Sequence, residues 1–371
     1  MDKRVLNYLI IATLAVAVVF TSCKKDIDDE NSSNGNSDST IVSDSTIVYV
    51  AGYETGSPYG SNPYGKTVAT LWKNGMPQHL TDGSEHACAN SVYVSGNDVY
   101  VAGYEVQAGV SVARLWKNGI VQNLTDGTFR STANLVIVSE NNVYVVGYEC
   151  TVERDHEAYS SDPCIAKLWI NGVATNLTDG TCVAEAISVS VSGNDVYVVG
   201  YELTENTYYY VPKLWKNGIS QTLNNIAYVY SVCASGDDVY VAGTSGYVCG
   251  SDGCGVSPLL WKNGVVQNLT NGTNGAYVYS VFVSENDVYV AGSDGNVGKL
   301  WKNGVVQNLN GITYANSVYV SGNDVYVAGY MYNNYSYYCT AKLWINGELQ
   351  NFTDGYRESR YNSVFVVKRN N

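Results

Sequence analysis

"GNDVYVAGYE" occupies residues 96–105, and near copies of this phrase return along most of the chain. The copies begin at Glu140, Gly193, Gly236, Glu285 and Gly322. Valine and tyrosine favour pleated, half-buried strands, and the Asn and Gly residues that precede them favour tight turns. A chain that repeats a turn followed by a strand predicts an all-β protein built from copies of one unit.

A second repeated phrase, "LWKNG" or "LWING", contains all seven tryptophans, at intervals of 44, 53, 46, 46, 40 and 43 residues. Such intervals are typical of propeller blades and not of helical arrays. In residues 91–127, "SVYVS", "VYVAGY", "ARLW" and "IVQNLTDG" are predicted strands, and "GND" and "KNG" are hairpin turns. The sequence thus predicts seven four-stranded antiparallel blades. The tryptophans are Trp72, Trp116, Trp169, Trp215, Trp261, Trp301 and Trp344.

The two ends of the repeat region predict that the blades close into a ring. The region begins at Thr46 with the second strand of a unit, and it stops at residues 362–367 with a first strand. The last strand would therefore complete the first blade and cover an exposed sheet edge. Closure of this kind resembles the β-propellers of the WD40 and kelch families, although their signature residues are absent. The resemblance implies a seven-bladed β-propeller over residues 46–371.

The N-terminal segment belongs to a different class. Lys3 and Arg4 precede an apolar run, and "FTSC" ends it at Cys23. This is similar to a bacterial lipoprotein signal peptide, although Phe20 stands where that family usually has Leu. The resemblance implies that residues 1–22 are removed and that Cys23 is lipidated, which would anchor the protein to the outer membrane of a Gram-negative bacterium. An ordinary secretory signal with an incidental cysteine is the alternative.

Residues 23–45 are polar and acidic and contain no aromatic residue, which predicts a disordered tether. The acidic residues after Cys23 also resemble the surface-export tag of some Gram-negative lipoproteins, and a solvated linker is the other interpretation. The tether enters the propeller at the end that carries the tight turns. We therefore expect the variable loops to point away from the membrane at the cell surface.

The variable loops lie at the opposite end of the blades from the tight turns, and this end is rich in tyrosine. The longest loop between second and third strands spans residues 149–165, and the shortest spans residues 293–297. Tyrosine rings beside carboxylates suit carbohydrate or peptide ligands, whereas packed Tyr and solvated Glu would be purely structural. The candidate ligand-binding residues are Tyr53, Glu54, Tyr104, Glu105, Tyr148, Glu149, Tyr201, Glu202 and Tyr330.

Several kinds of chemistry are not expected. A formal charge of −13 argues against a nucleic-acid partner, which requires a basic surface. His79, His86 and His156 lack metal-ligand spacing, and blades around a channel would hold the four Glu residues too far apart for Ca²⁺. We expect no metal, no cofactor and a monomer. One Trp at the same position of every unit indicates core packing.

Eight cysteines remain beyond Cys23. Cys150 and Cys164 bracket the long loop of blade three, and Cys249 and Cys254 bracket "GSDG" in blade five. In an oxidising compartment both pairs are expected to form disulfides that stiffen loops. The sequence gives no evident partner for the other four, which are Cys88, Cys182, Cys233 and Cys339.

These features favour non-catalytic recognition of a glycan or a protein partner through the tyrosine-rich loop end. Nearly identical blades argue against catalysis, which needs unlike groups at one point. A propeller enzyme, a hydrolase or lyase acting on polysaccharide, is the first alternative, and Glu149, Asp155 and His156 in the longest loop are its candidates. A structural component of an envelope complex is the second.

Overall fold

The computed structural model describes residues 46–55, 65–152, 162–204, 209–250, 253–270, 275–332, 338–350, 352–353 and 357–369. The predicted signal peptide, Cys23 and the tether lie outside the described residues, so they stay predictions from the sequence. Within the described ranges the protein is all-β, with seven four-stranded antiparallel sheets arranged as a seven-bladed propeller. The predicted fold class is confirmed.

Each blade has an inner strand against the central channel, then a second and a third strand, and an outer strand. Blade one takes its inner strand from the C-terminus, and an additional hairpin, Val248–Gly250 with Gly253–Gly255, extends from blade five. From blade one to blade seven, the inner strands are Ser359–Lys368, Ala87–Ser95, Ser131–Ser139, Ala184–Ser192, Tyr228–Ser235, Ala276–Ser284 and Tyr314–Ser321. The second strands are Thr46–Thr55, Asp98–Gln107, Asn142–Cys150, Asp195–Leu203, Asp238–Thr244, Asp287–Asp294 and Asp324–Tyr332. The third strands are Thr67–Lys73, Val110–Lys117, Cys164–Ile170, Tyr210–Lys216, Pro258–Lys262, Val297–Lys302 and Cys339–Ile345. The outer strands are Met76–His79, Ile120–Asn123, Val173–Asn176, Ile219–Thr222, Val265–Asn268, Val305–Leu309 and Glu348–Gln350.

The ring closes where the chain's last strand meets its first. Thr46 pairs with Lys368, Ile47 with Val367 and so on to Ala51 with Ser363. Successive inner strands also contact one another around the whole channel, including the contacts of blade one with blades two and seven. The predicted closure and its strand order are confirmed.

The tight turns between third and outer strands have the geometry that Asn-Gly favours. Asn118 and Gly119 both have positive φ, 53° and 80°, as a type I′ hairpin turn requires. The Asn118 side chain also accepts a hydrogen bond from the backbone N–H of Val99 and donates one to Asp98. Lys117 completes the cluster with an ion pair of 2.7 Å to Asp98. The repeated "ND" and "KNG" phrases therefore have a structural role, because their side chains stabilise the two neighbouring turns.

Every inner strand has a β-bulge at the same position, opposite the glycine of "VYVAG" or its variant. In blade two, Ala89 pairs with Gly103 and Ser91 with Ala102, so Asn90 is the extra residue. A Cβ on Gly103 would lie 2.0 Å from the carbonyl oxygen of Cys88, closer than any real contact. Only glycine fits there, because the bulge brings the two backbones together.

The residue after the bulge joins neighbouring blades. In six blades it is a buried serine, whose Oγ accepts a hydrogen bond from an inner-strand N–H of the next blade. Blade three has Leu135 at this position. The bonds run from Val92 to Ser363, Val136 to Ser91, Val232 to Ser188, Val281 to Ser231, Val318 to Ser280 and Val364 to Ser317. These bonds satisfy N–H groups that would otherwise be buried without a partner.

All seven tryptophans are buried at equivalent third-strand positions, with exposures from 0% to 6%. They pack in the hydrophobic clusters between blades, so their role is the core packing predicted from the repeat. Among the residues that the structure describes, no helix has the length and apolar character needed to cross a membrane.

Candidate functional site

A cavity of about 510 Å³ opens at the loop end of the channel. It is lined by the first residues of inner strands in blades one to five and by the ends of second strands in blades one to four. We call this opening, together with the equivalent inner-strand positions of blades six and seven, the mouth. The volume of the cavity lies within the range of roughly 300–1,000 Å³ that is usual for ligand sites.

Four of the five predicted tyrosines line this cavity. Tyr53, Tyr104, Tyr148 and Tyr201 project into it from equivalent positions of blades one to four. Each is partly buried, and burial raises the pKa of Tyr104 and Tyr201, so both keep a neutral hydroxyl. Tyr330 lies further round the mouth, where its ring packs 4.9 Å from that of Tyr314.

The glutamates of the Tyr-Glu pairs point to the opposite face of the strand and are not among the residues that line the cavity. Glu105 forms an ion pair of 3.0 Å with Arg114 of the adjacent strand, and Glu149 and Glu202 do the same with Lys167 and Lys213. Their predicted role in binding stays a prediction, and the structure gives each a cation within its own blade. In blade one, Glu54 contacts His79 at 2.7 Å and Arg357 at 4.0 Å.

The most polar part of the cavity lies at blades three and four. Glu185 accepts hydrogen bonds from the Tyr201 hydroxyl at 2.6 Å and from the Asn134 amide at 2.7 Å. Burial raises the pKa of the Glu185 carboxyl, while these two bonds and the Arg130 charge act in the opposite direction. Arg130 itself lies over the Tyr148 ring, 5.7 Å from its centroid. A carboxylate, a guanidinium and an amide therefore meet between aromatic rings.

The bulge residues divide the mouth into two halves. In blades seven, one, two and three the bulge residue is an asparagine whose side chain donates to a backbone carbonyl of the next blade. In blades four, five and six it is Ile187, Tyr230 or Tyr279. The four asparagines are Asn316, Asn362, Asn90 and Asn134, and the carbonyls belong to Tyr361, Ala89, Ala133 and Ala186.

The tyrosines of blades five to seven form a wall opposite the polar groups. The rings of Tyr230 and Tyr279 lie 5.8 Å apart, and those of Tyr279 and Tyr314 lie 6.5 Å apart. Tyr277 stacks on Tyr279 with an interplanar angle of 3°. Planar rings of this kind can cover the C–H faces of a sugar, while the polar groups across the mouth fix its orientation.

A disulfide joins Cys150 to Cys164 at the base of the long loop of blade three. Cys164 lines the cavity, and the Arg130 Nη2 lies 3.3 Å from the Cys150 sulfur. In blade five the backbone of Cys249 pairs with that of Cys254, but their side chains lie outside the described residues, so that bond stays a prediction. Cys88, Cys182, Cys233 and Cys339 form no disulfide bond with another described residue.

No group of three His, Cys, Asp or Glu side chains that could hold a metal ion occurs among the described residues. His86 is exposed and lines the cavity, and His79 is paired with Glu54. Of the enzyme candidates, Glu149 is paired with Lys167, whereas Asp155 and His156 lie outside the described residues.

Sequence reasoning missed Arg130, Asn134 and Glu185, because each lies at the start of an inner strand and not in a Tyr-Glu pair. A signal was present in the repeat itself. The phrases before "SV" or its variant differ between blades, as in "ACAN", "STAN", "VAEAI" and "AYVY", whereas the strands after them are alike. Positions that vary within a faithful repeat are where a symmetric fold can acquire unlike groups.

No known protein family and no curated protein matches this sequence. Solved structures do resemble it. An acylaminoacyl peptidase from Pyrococcus horikoshii gives a TM-score of 0.52 at 13% identity over 85% of this chain and 52% of its own. An acylaminoacyl peptidase bound to Z-Gly-Gly-Phe-chloromethyl ketone gives 0.50 at 13% identity over 85% and 51%.

The β-propeller domain of the trilobed protease from Pyrococcus furiosus gives a TM-score of 0.48 at 13% identity over 84% of this chain and 93% of its own. The chain spans about half the length of the two peptidases. At this identity, their likeness concerns the fold alone.

Proposed function

We propose that the protein is a lipid-anchored surface β-propeller that recognises a glycan at the mouth without acting on it chemically. The observation that carries the proposal is the cavity, because five copies of one blade line a common opening with unlike residues. Tyr53, Tyr104, Tyr148 and Tyr201 line it together with Glu185 and Asn134. Aromatic rings with a few fixed donors and acceptors are typical of sites that bind sugars.

Recognition is favoured over catalysis by the chemistry of the cavity. The Glu185 carboxyl is bonded to a tyrosine hydroxyl and an amide, both of which hold it in place. Among the described residues, the cavity lining contains no second carboxyl that would complete an acid and base pair. A fixed carboxyl of this kind is suited to accept hydrogen bonds from sugar hydroxyls.

The position of the first strand supports the proposed orientation. Thr46 pairs with Lys368 next to the tight turns, so the chain enters the propeller at the end away from the mouth. A lipid on Cys23 would place the membrane on the tight-turn side. The mouth would then open outward, where a glycan from outside the cell can reach it.

The test is a glycan array with the purified protein and three variants. We expect saturable binding that Tyr104→Ala and Tyr201→Ala each weaken by about tenfold or more, which corresponds to about 1.4 kcal/mol. Ile120→Ala is the control, because this side chain of an outer strand is 76% exposed and does not line the cavity. Equal loss in all three variants would contradict the proposed site.

Two other outcomes would replace the proposal. Silence across the array, with a folded protein, would favour a protein partner. Release of shortened sugars from a bound polysaccharide would favour a propeller enzyme.

A further inference from the structure

The first mouth position of each inner strand lies two residues before the bulge, and its occupant differs between blades. Two of the seven occupants are charged. They are Arg360 in blade one and Glu185 in blade four, which are separated by Cys88 and Thr132 on one side and by three tyrosines on the other. From blade one to blade seven the occupants are Arg360, Cys88, Thr132, Glu185, Tyr228, Tyr277 and Tyr314.

Arg360 lies beside the cavity, although it is not itself one of the residues that line it. Its backbone pairs with that of Tyr53, and both Tyr53 and Asn362, two residues further along its strand, line the cavity. The side chain is mostly buried, with 18% exposed. A mostly buried guanidinium at this place needs compensation for the water that it has lost.

The charge of Arg360 is poorly compensated within the described residues around it. The nearest carboxylate oxygen, on Glu358, is 3.9 Å from Nη2, which is too long for a hydrogen bond, and the guanidinium donates a hydrogen bond to the sulfur of Cys339, a weak acceptor. Burial also raises the pKa of the Glu358 carboxyl. Burial likewise raises the pKa of Tyr53 and of the Cys339 thiol, so these neighbours stay neutral.

Arg114 shows what a compensated arginine looks like in this fold. Its side chain is 2% exposed, its Nη2 lies 3.0 Å from Glu105, and its Nη1 donates to Asn123. Arg114 belongs to a third strand, away from the mouth. Nε lacks a partner in both arginines, so the difference between them is the carboxylate, which lies within hydrogen-bond distance of Arg114 and not of Arg360 among the described residues.

Two tyrosine rings hold the guanidinium. Its central carbon lies 4.7 Å from the centroid of Tyr330 and 5.9 Å from that of Tyr53. Stacking on rings fixes the guanidinium plane and leaves its N–H edge for a planar, bidentate acceptor. A carboxylate is such an acceptor.

The rest of the molecule favours a singly charged acceptor. The chain has a formal charge of −13, so an anion with two or more charges would be repelled more strongly than a carboxylate. Tyr330 also packs on Tyr314, which begins the tyrosine wall. A sugar ring on that wall could therefore place a carboxylate on Arg360.

We propose that Arg360 is a carboxylate subsite of the mouth, so that the glycan recognised there carries an acidic sugar. The statement that the ligand is a glycan rests on the proposed function. The binding of a carboxylate by Arg360 is tested separately. The probes are sodium glucuronate and the neutral methyl glucoside, of which only the first carries a carboxylate.

The direct measurement is the NMR signal of the Arg360 Nε–H in arginine-labelled protein, identified by its absence in Arg360→Gln. We expect glucuronate to shift this signal saturably and methyl glucoside to leave it in place. Arg369→Gln, a change of an exposed arginine outside the mouth, should leave the glucuronate shift intact. An unshifted Arg360 signal at saturating glucuronate would overturn the subsite.

A second variant covers the case in which Arg360→Gln does not fold. Arg360→Lys keeps the charge but loses the planar fork, and we expect it to bind glucuronate about tenfold more weakly. Unchanged affinity in this variant would overturn the bidentate contact. A glucuronate shift together with a silent glycan array would support the carboxylate subsite and contradict the proposed glycan ligand. Array binding to neutral glycans without a glucuronate shift would support the glycan ligand and contradict the carboxylate subsite.

Discussion

The two halves of the mouth use the same backbone and different chemistry. In the first half, formed by blades seven, one, two and three, the bulge asparagines join each blade to the next through backbone carbonyls, and these residues are Asn316, Asn362, Asn90 and Asn134. In the second half, formed by blades four, five and six, the bulge residues are Ile187, Tyr230 and Tyr279, and the two tyrosines contact each other through their rings. Both halves keep the bulge and its glycine.

This difference indicates that some positions of the repeat serve folding and that others are available for recognition. The turns, the tryptophans and the bulge glycine recur because every blade needs them for pairing and packing. The bulge residue and the residue two before it can differ between blades, because their side chains face the channel and strand pairing uses only the backbone. A site therefore arises in a symmetric fold at positions whose side chains are not fixed by strand pairing.

The largest loss of stability is expected when the bulge glycine, which both halves share, is replaced. Gly103→Ala and Gly292→Ala each place a Cβ 2.0 Å from a carbonyl oxygen across the bulge, that of Cys88 or of Tyr277. We expect each to lower the free energy of unfolding by more than about 3 kcal/mol or to prevent folding. Urea unfolding measures the loss. A large loss in blade two with a small one in blade six would contradict a common role for the bulge.

The next test concerns the links that differ between the halves. Asn90→Ala removes the donor to the Ala133 carbonyl, and we expect a loss of about 2 kcal/mol because a buried acceptor loses its partner. Tyr230→Phe is the counterpart at the bulge of blade five, and it keeps the ring that contacts Tyr279. We expect it to cost less than about 1 kcal/mol in the same unfolding measurement. Equal losses would show that the two halves are not joined differently.

The smallest expected effect is a pH dependence that comes from Glu185. Because burial raises its pKa in the folded protein, this carboxyl binds its proton more tightly when folded than when unfolded. Its contribution to stability is therefore present below the ordinary pKa of Glu and declines as the pH rises through the folded pKa. Relative to Glu185→Gln, the wild-type melting temperature should fall as the pH rises from the ordinary pKa of a Glu carboxyl through the raised pKa of Glu185.

Tyr201→Phe sharpens this test, because its hydroxyl donates to Glu185 and favours the charged form. Without that bond, the pKa of Glu185 should rise further, and the decline should extend to higher pH. A wild-type melting temperature that rises relative to Glu185→Gln over the same interval would contradict the raised pKa.

Much of the fold could be predicted because its signals are local. The Asn-Gly turns at Asn118 and its equivalents define hairpins by their own backbone preferences, and period and strand order define the blades. The pairing of residues 46–51 with 363–368 followed from counting strands at the two ends. Tyr53, Tyr104, Tyr148 and Tyr201 could be assigned to the loop end because alternation along a strand is regular.

The partners of these residues could not be predicted in the same way. Glu105, Glu149 and Glu202 follow the tyrosines in sequence, yet each faces away from the cavity toward a cation of the third strand. Asn134 and Glu185 are 51 residues apart and meet only because blades three and four are neighbours. No local pattern carries that information.

The sequence by itself determined the number of blades, the strand order within each blade and the closure of the ring, because turn preferences and strand periodicity act over a few residues. Only the tertiary structure decided that Arg360, Glu185 and a wall of tyrosines share one opening. The reason is that the inner strands meet around the channel, and this brings one residue from each distant repeat to a common rim where burial and charge act on all of them together.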